Sequence, residues 1–160
     1  MLKRAVAVLI FVHVLAAGTR AQVAVNSATT VLIDPSEPTA VQKAAGDLVS
    51  DMEKVFGAPV HVAHRPTDGK PVTIWIGQQG SLPTAVTKPS GWEVLRLQTV
   101  RNPWPGSPIQ NAIVLTGSDV RGTIYAVYQF SQEFLGVDPL YWWTDHQPAK
   151  KTQVVVSNAL

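Results

Sequence analysis

The sequence predicts an α+β domain of two layers, a mixed β-sheet of about six strands packed against two main helices. Three observations lead there. Two stretches, within residues 37–57 and 118–136, carry apolar side chains at helical spacing. Short runs rich in β-branched residues, bounded by Gly, Pro or Asp, surround them. The chain holds no cysteine and shows no internal repeat or low-complexity tract, so its stability must come from packing rather than from a disulfide framework.

The domain is expected to span residues 22–160, with residues 1–21 as a secretory signal peptide. Lys3 and Arg4 stand directly before an apolar run over residues 5–17, interrupted only by His13. That run is too short to cross a ~30 Å hydrocarbon core at ~1.5 Å per residue. Cleavage is expected after Ala21, or a few residues earlier after Ala16-Ala17-Gly18. The protein is therefore expected to be exported, to the periplasm or beyond. Removal of Lys3, Arg4 and Arg20 leaves ten basic residues against eleven acidic ones, a net charge of −1. Nothing then favours a nucleic-acid partner, and no membrane contact is expected once the signal is gone.

Residues 23–33 are rich in β-branched side chains and end at Asp34-Pro35, which reads as one strand or a hairpin-like pair. A helix starts near Ser36-Glu37-Pro38. It carries Val41, Ala44, Ala45, Leu48, Met52, Val55 and Phe56 on one side, and Gly57 stands at its C-terminal cap. Residues 59–64 and 72–76 read as strands joined by a loop around Thr67-Asp68-Gly69-Lys70. Residues 92–98 read as another, beyond a polar loop punctuated by Pro83 and Pro89. A proline-rich loop holding Trp104 leads to a buried strand at 112–115. Ser118 or Asp119 then N-caps a second helix with Ile124, Val127, Tyr128, Phe134 and Leu135 on one face, which Gly136 ends. A final strand is expected at 153–156. No glycine-rich phosphate loop joins a strand to a helix, so a nucleotide site gains no support.

Chemistry built on paired carboxylates needs acids in unusual settings, and this sequence offers few. Asp34, Asp68 and Asp138 sit at turns, Asp47, Asp51 and Glu53 decorate the first helix, and Asp119 is a cap. Asp145, following an aromatic cluster, is the least ordinary. His61 and His64 are three apart on a presumed strand and point to opposite faces, so they make no metal site. There is no thiol nucleophile and no Gly-x-Ser-x-Gly elbow. The triplet Tyr141-Trp142-Trp143 invites a binding reading, because aromatic faces stack on sugar rings. The competing reading is an aromatic seam against a neighbouring domain. An extended conformation there would point successive rings in alternate directions.

The run Gly117-Ser118-Asp119-Val120-Arg121-Gly122-Thr123-Ile124-Tyr125-Ala126-Val127-Tyr128, its spacing to Gly136-Val137, and Pro139-Leu140-Tyr141-Trp142-Trp143-Thr144-Asp145 resemble the N-terminal domain of family 115 glycoside hydrolases, the xylan α-glucuronidases. The resemblance covers residues 112–156; before them only the order of elements agrees. Similar domains precede the barrels of family 67 α-glucuronidases and family 20 hexosaminidases. Physically the motif reads as architecture: Asp119 caps the helix, Gly122 lets its first turn approach the sheet, and Arg121 pairs with a nearby carboxylate. The resemblance implies a domain placed before a (β/α)8 barrel whose strand ends carry the catalytic acid and base. It implies metal-independent removal of glucuronic acid or its 4-O-methyl ether from xylan by the whole enzyme, with no cofactor. This chain, too short for a barrel of ~250 residues, is expected to contribute no catalytic residue. Tyr141, Trp142, Trp143 and Asp145 are its candidate contacts with glucuronoxylan, as one wall of the substrate pocket. The rival expectation is a free-standing carbohydrate-binding module using Trp104, Trp142 and Trp143.

Overall fold

A computed structural model describes residues 22–78, 82–83, 86–144 and 146–157, and leaves the Trp142 side chain aside. The expected signal peptide and Asp145 lie outside the described residues. The architecture is α+β, with a five-stranded mixed sheet and a separate two-stranded ribbon. The elements run β1 (Gln22–Val25), β2 (Thr30–Ile33), α1 (Thr39–Phe56), β3 (His61–Ala63), β4 (Val72–Ile76), β5 (Leu95–Arg101), β6 (Asn111–Gly117), α2 (Val120–Phe130), α3 (Tyr141–Thr144) and β7 (Val154–Ser157). A π-helical turn, Ser131–Leu135, continues α2.

The main sheet has the order β3-β2-β4-β6-β5, parallel throughout except for the antiparallel pairing of β5 with β6. β2, β4 and β6 are central and covered on both faces, which is why they read as continuous apolar runs rather than alternating ones. Val31, Ile33, Ile74, Ile76, Ile113 and Leu115 face α1 and α2, and join their apolar stripes in the principal core. Leu32, Trp75, Ala112 and Val114 face the other way, where they join Val100 of β5 and are covered from loops by Ile109 and the half-buried Trp104. Trp104 is thus a loop anchor of this smaller core.

The N-terminal stretch is not a hairpin. Asn26 turns the chain, accepting from the Thr29 N–H at 3.0 Å through its carbonyl and from the Ala28 N–H at 2.9 Å through its side chain. β1 then pairs with β7, with Gln22 opposite Ser157 and Val25 opposite Val154, while β2 enters the main sheet. Two other elements differ from expectation. β5 begins at Leu95 rather than Trp92, because Glu93 takes a left-handed backbone (φ 55°) that a strand cannot continue. The segment expected to be extended at Tyr141 is one helical turn, started by Asp138, whose side chain accepts from the Leu140 N–H (2.8 Å) and whose carbonyl accepts from the Tyr141 N–H (3.0 Å).

Candidate functional site

The motif at the start of α2 is a backbone lock. Asp119 is the N-cap, its Oδ1 accepting from the Gly122 N–H and its Oδ2 from the Glu93 N–H, both at 2.8 Å. These backbone donors, Gly122 first, hold the Asp119 carboxyl below its ordinary range. A side chain on Gly122 would collide with the Val94 carbonyl oxygen at 2.5 Å. One on Gly117 would sit 2.2 Å from the backbone of Gly122 and Thr123. Two glycines therefore let β6, the 93–94 backbone and the first turn of α2 meet at van der Waals contact. Arg121 pairs with Glu93 (2.7 Å) and donates to the Tyr125 hydroxyl (3.0 Å) on the exposed side. All three residues of the motif are engaged with protein groups.

Further along, α1 and α2 flank a cleft of about 570 Å³ beside their packed seam. Asp47, Ser50 and Asp51 of α1 line one wall, and Tyr125, Tyr128 and Gln129 of α2 the other. Ser131 and Gln132 continue that wall from the π-helical turn, a distortion that recurs at functional sites. Leu95, Val137, Asp138, Pro139 and Tyr141 close the cleft from the loops and sheet edge.

Asp51 is the central group of this cleft. Only 6% exposed, it accepts from the Ser131 Oγ at 2.5 Å and from the Tyr141 hydroxyl at 3.4 Å. Burial pushes its carboxyl above the usual range, against the opposing pull of Ser131, Lys54 and Tyr141. Lys54 in turn donates to the Tyr141 hydroxyl at 2.6 Å and lies 4.6 Å from the centre of its ring. Tyr128 donates to Asp47 Oδ2 at 2.7 Å; desolvation, then that bond, raises its phenol to about 12.

Of the sequence-predicted contacts, Tyr141 and Trp143 have described side chains, and their surroundings differ. Tyr141 is buried in the cleft floor with its hydroxyl already bonded, whereas Trp143 stands 87% exposed beside the exposed Leu140. Asp51, expected as surface decoration, and Tyr128, expected in the core, exchange those roles. A signal for Asp51 existed: it lies three residues after Leu48 and four before Val55, inside the buried stripe of α1.

Every described carboxylate accepts a hydrogen bond from a protein group. Besides those above, Asp34 serves Ser36, Glu37 the Gln78 N–H, Glu53 the Val60 N–H, Asp68 Arg65, and Glu133 Gln129. His61 and His64 make separate contacts, with the Asp68 and Ile33 carbonyls. Among the described residues no three His, Asp or Glu side chains converge as a metal-ligand set.

These features define a class: a two-layer α+β domain with its helices on one face of a mixed sheet and a polar, aromatic cleft between them. Among solved structures it is similar to a family GH115 4-O-methyl-α-glucuronidase with specificity for decorated arabinogalactans, at a TM-score of 0.65 and 24% identity. The match covers 86% of this chain and 17% of that one, so the chain spans about a sixth of the enzyme it resembles. What the two share at this identity is the fold. No known protein-family profile and no curated protein matches the chain.

Proposed function

We propose that this chain is an exported, non-catalytic accessory domain of a glucuronidase-like glycoside hydrolase, seated before a (β/α)8 barrel that carries the catalysis. The likeness to a glucuronidase over 86% of this chain, confined to 17% of that enzyme, is the observation that carries the reading. Two further features support it. The described carboxylates each accept a hydrogen bond from a protein group, most of them in caps, turns and packing. Leu140 and Trp143 offer apolar surface that a neighbouring domain would cover. The substrate of the whole enzyme is then a polysaccharide bearing glucuronic acid or its 4-O-methyl ether, either a glucuronoxylan or an arabinogalactan.

Two measurements test this. Reading the coding DNA beyond the Leu160 codon is expected to reveal an in-frame or frameshifted barrel. The purified chain is expected to release no uronic acid from glucuronoxylan or glucuronidated arabinogalactan, and release by the chain itself would overturn the reading. A second reading, a carbohydrate-binding module, is favoured by one observation: Trp92 and Trp143 are 83% and 87% exposed. Retardation in xylan-containing gels that disappears on Trp143→Ala would select it.

A further inference from the structure

Two packed helices ordinarily meet along an apolar seam, and α1 and α2 do so at Leu48, Met52, Val127 and Phe130. Beside that seam both helices present polar and aromatic stripes to each other instead. On α1 these are Asp47, Ser50 and Asp51, spaced i, i+3, i+4; on α2 they are Tyr125, Tyr128 and Gln129, spaced i, i+3, i+4, and Gln132 extends them from the π-helical turn. The stripes touch where Tyr128 meets Asp47 and Ser131 meets Asp51, and leave a cleft beside those contacts. A cleft of about 570 Å³ falls in the range of small-ligand sites.

We propose that this cleft binds a neutral saccharide, with the Tyr128 ring, and Tyr125 beside it, as stacking surface and Asp47, Gln129 and Gln132 as partners of the sugar hydroxyls. The chemistry of the lining selects this ligand. A pyranose has an apolar face of C–H groups that suits an aromatic ring, and a rim of hydroxyls that both donate and accept. Carboxylates accept from such hydroxyls in pairs, and side-chain amides accept and donate. Asp47 keeps acceptor capacity beyond its bonds to Lys43 and Tyr128. Asp47 and Asp138, the less buried of the aspartates in the lining, disfavour an anionic sugar, so the ligand is a neutral backbone or branch residue of a polysaccharide rather than its uronic acid. A protein partner fits less well, because interface cores are depleted of charged side chains, whereas this concavity holds three carboxylates, Asp47, Asp51 and Asp138, and two amides. The site is held from beneath by Ser131 and Tyr141, both bonded to Asp51. Its ligand class extends the polysaccharide reading above, but its geometry does not depend on a catalytic partner.

The test is a ¹H–¹⁵N chemical-shift titration of the full chain with xylobiose, with a galactose disaccharide and with glucuronic acid. The expected result is saturable shifts at the Gln129, Ser131, Gln132 and Tyr141 amides with at least one neutral sugar, and weaker ones with glucuronic acid. Tyr128→Ala is expected to weaken binding about tenfold, equivalent to ~1.4 kcal/mol. Gln132→Ala, at an exposed position, weakens it in the same direction and serves if the tyrosine variant fails to fold. Trp143→Ala leaves it unchanged. Absence of saturable cleft shifts with either neutral sugar in the folded chain would overturn the proposal, as would binding that survives both cleft variants. Either result would leave the accessory-domain reading standing, and release of uronic acid by the isolated chain would remove that reading without touching the cleft.

Discussion

Asp119 and Asp51 are the same residue type placed on helices of the same core, and their surroundings move them in opposite directions. Asp119 stands at an open helix start and takes two backbone N–H groups, so its charged form is favoured. Asp51 is buried in a cleft wall, and desolvation outweighs the hydroxyls that reach it, so its charged form is held less favourably than in a free carboxyl. The difference separates the two regions. The α2 lock satisfies every group it brings together, whereas the cleft retains polar capacity.

The largest effect is expected from breaking the lock. Gly117→Ala inserts a carbon 2.2 Å from the α2 backbone, which cannot yield as a side-chain tip can. A loss of about 3 kcal/mol or more in urea unfolding is expected. A variant as stable as the parent would show that α2 is free to move off β6. Next comes Asp119→Asn, which removes the charge that the two N–H groups hold. Because the folded carboxyl lies below its ordinary 3.8, the stabilisation it supplies is present above pH 3.8 and is lost as pH falls through the folded value. The parent's advantage over the variant should therefore shrink in acid; an advantage constant with pH would assign the cap no charge component.

Asp51→Asn sharpens the comparison from the other side. The folded carboxyl lies above 3.8, so its contribution is complete below that pH and is lost as pH rises through the folded value. The amide mimics the protonated acid, and the variant should gain on the parent with rising pH. The opposite slope would mean that Lys54 and the hydroxyls dominate burial. The smallest effect belongs to Tyr128→Phe, which deletes one exposed hydrogen bond to Asp47 and should cost under ~1 kcal/mol. In the parent, ultraviolet titration should show one tyrosine ionising near pH 12, which moves down on Asp47→Asn; a phenol unmoved by that change would leave burial as the whole cause.

Much of the fold could be read from the sequence because its signals are local. The α1 stripe, the Asp119 cap, the left-handed Gly57 and Gly136 at the helix ends and the apolar central strands are each set by neighbours within a few residues. What could not be read depends on distant pairing. β1 and β2 carry the same β-branched pattern, and only the arrival of β7 assigns them to different sheets. Trp92 and Val94 alternate like strand residues, but the Asp119 side chain and the close approach of Gly122 turn Glu93 out of the strand. The cleft was hidden for a related reason. Tyr128 sits at core spacing, and which residues of that spacing stay open is decided by where α1 ends up relative to α2.

The β1–β7 ribbon sets the order in which the molecule is completed. The first described strand has its hydrogen-bonding partner at residues 154–157, so on a ribosome it waits, unpaired, while the rest of the domain is synthesised. Val23 and Val25 belong to the principal core, so that core is closed in part by a ribbon whose second strand comes last. The β1–β7 ribbon can therefore form only after the chain through Ser157 has emerged, so the two ends of the described domain are completed together.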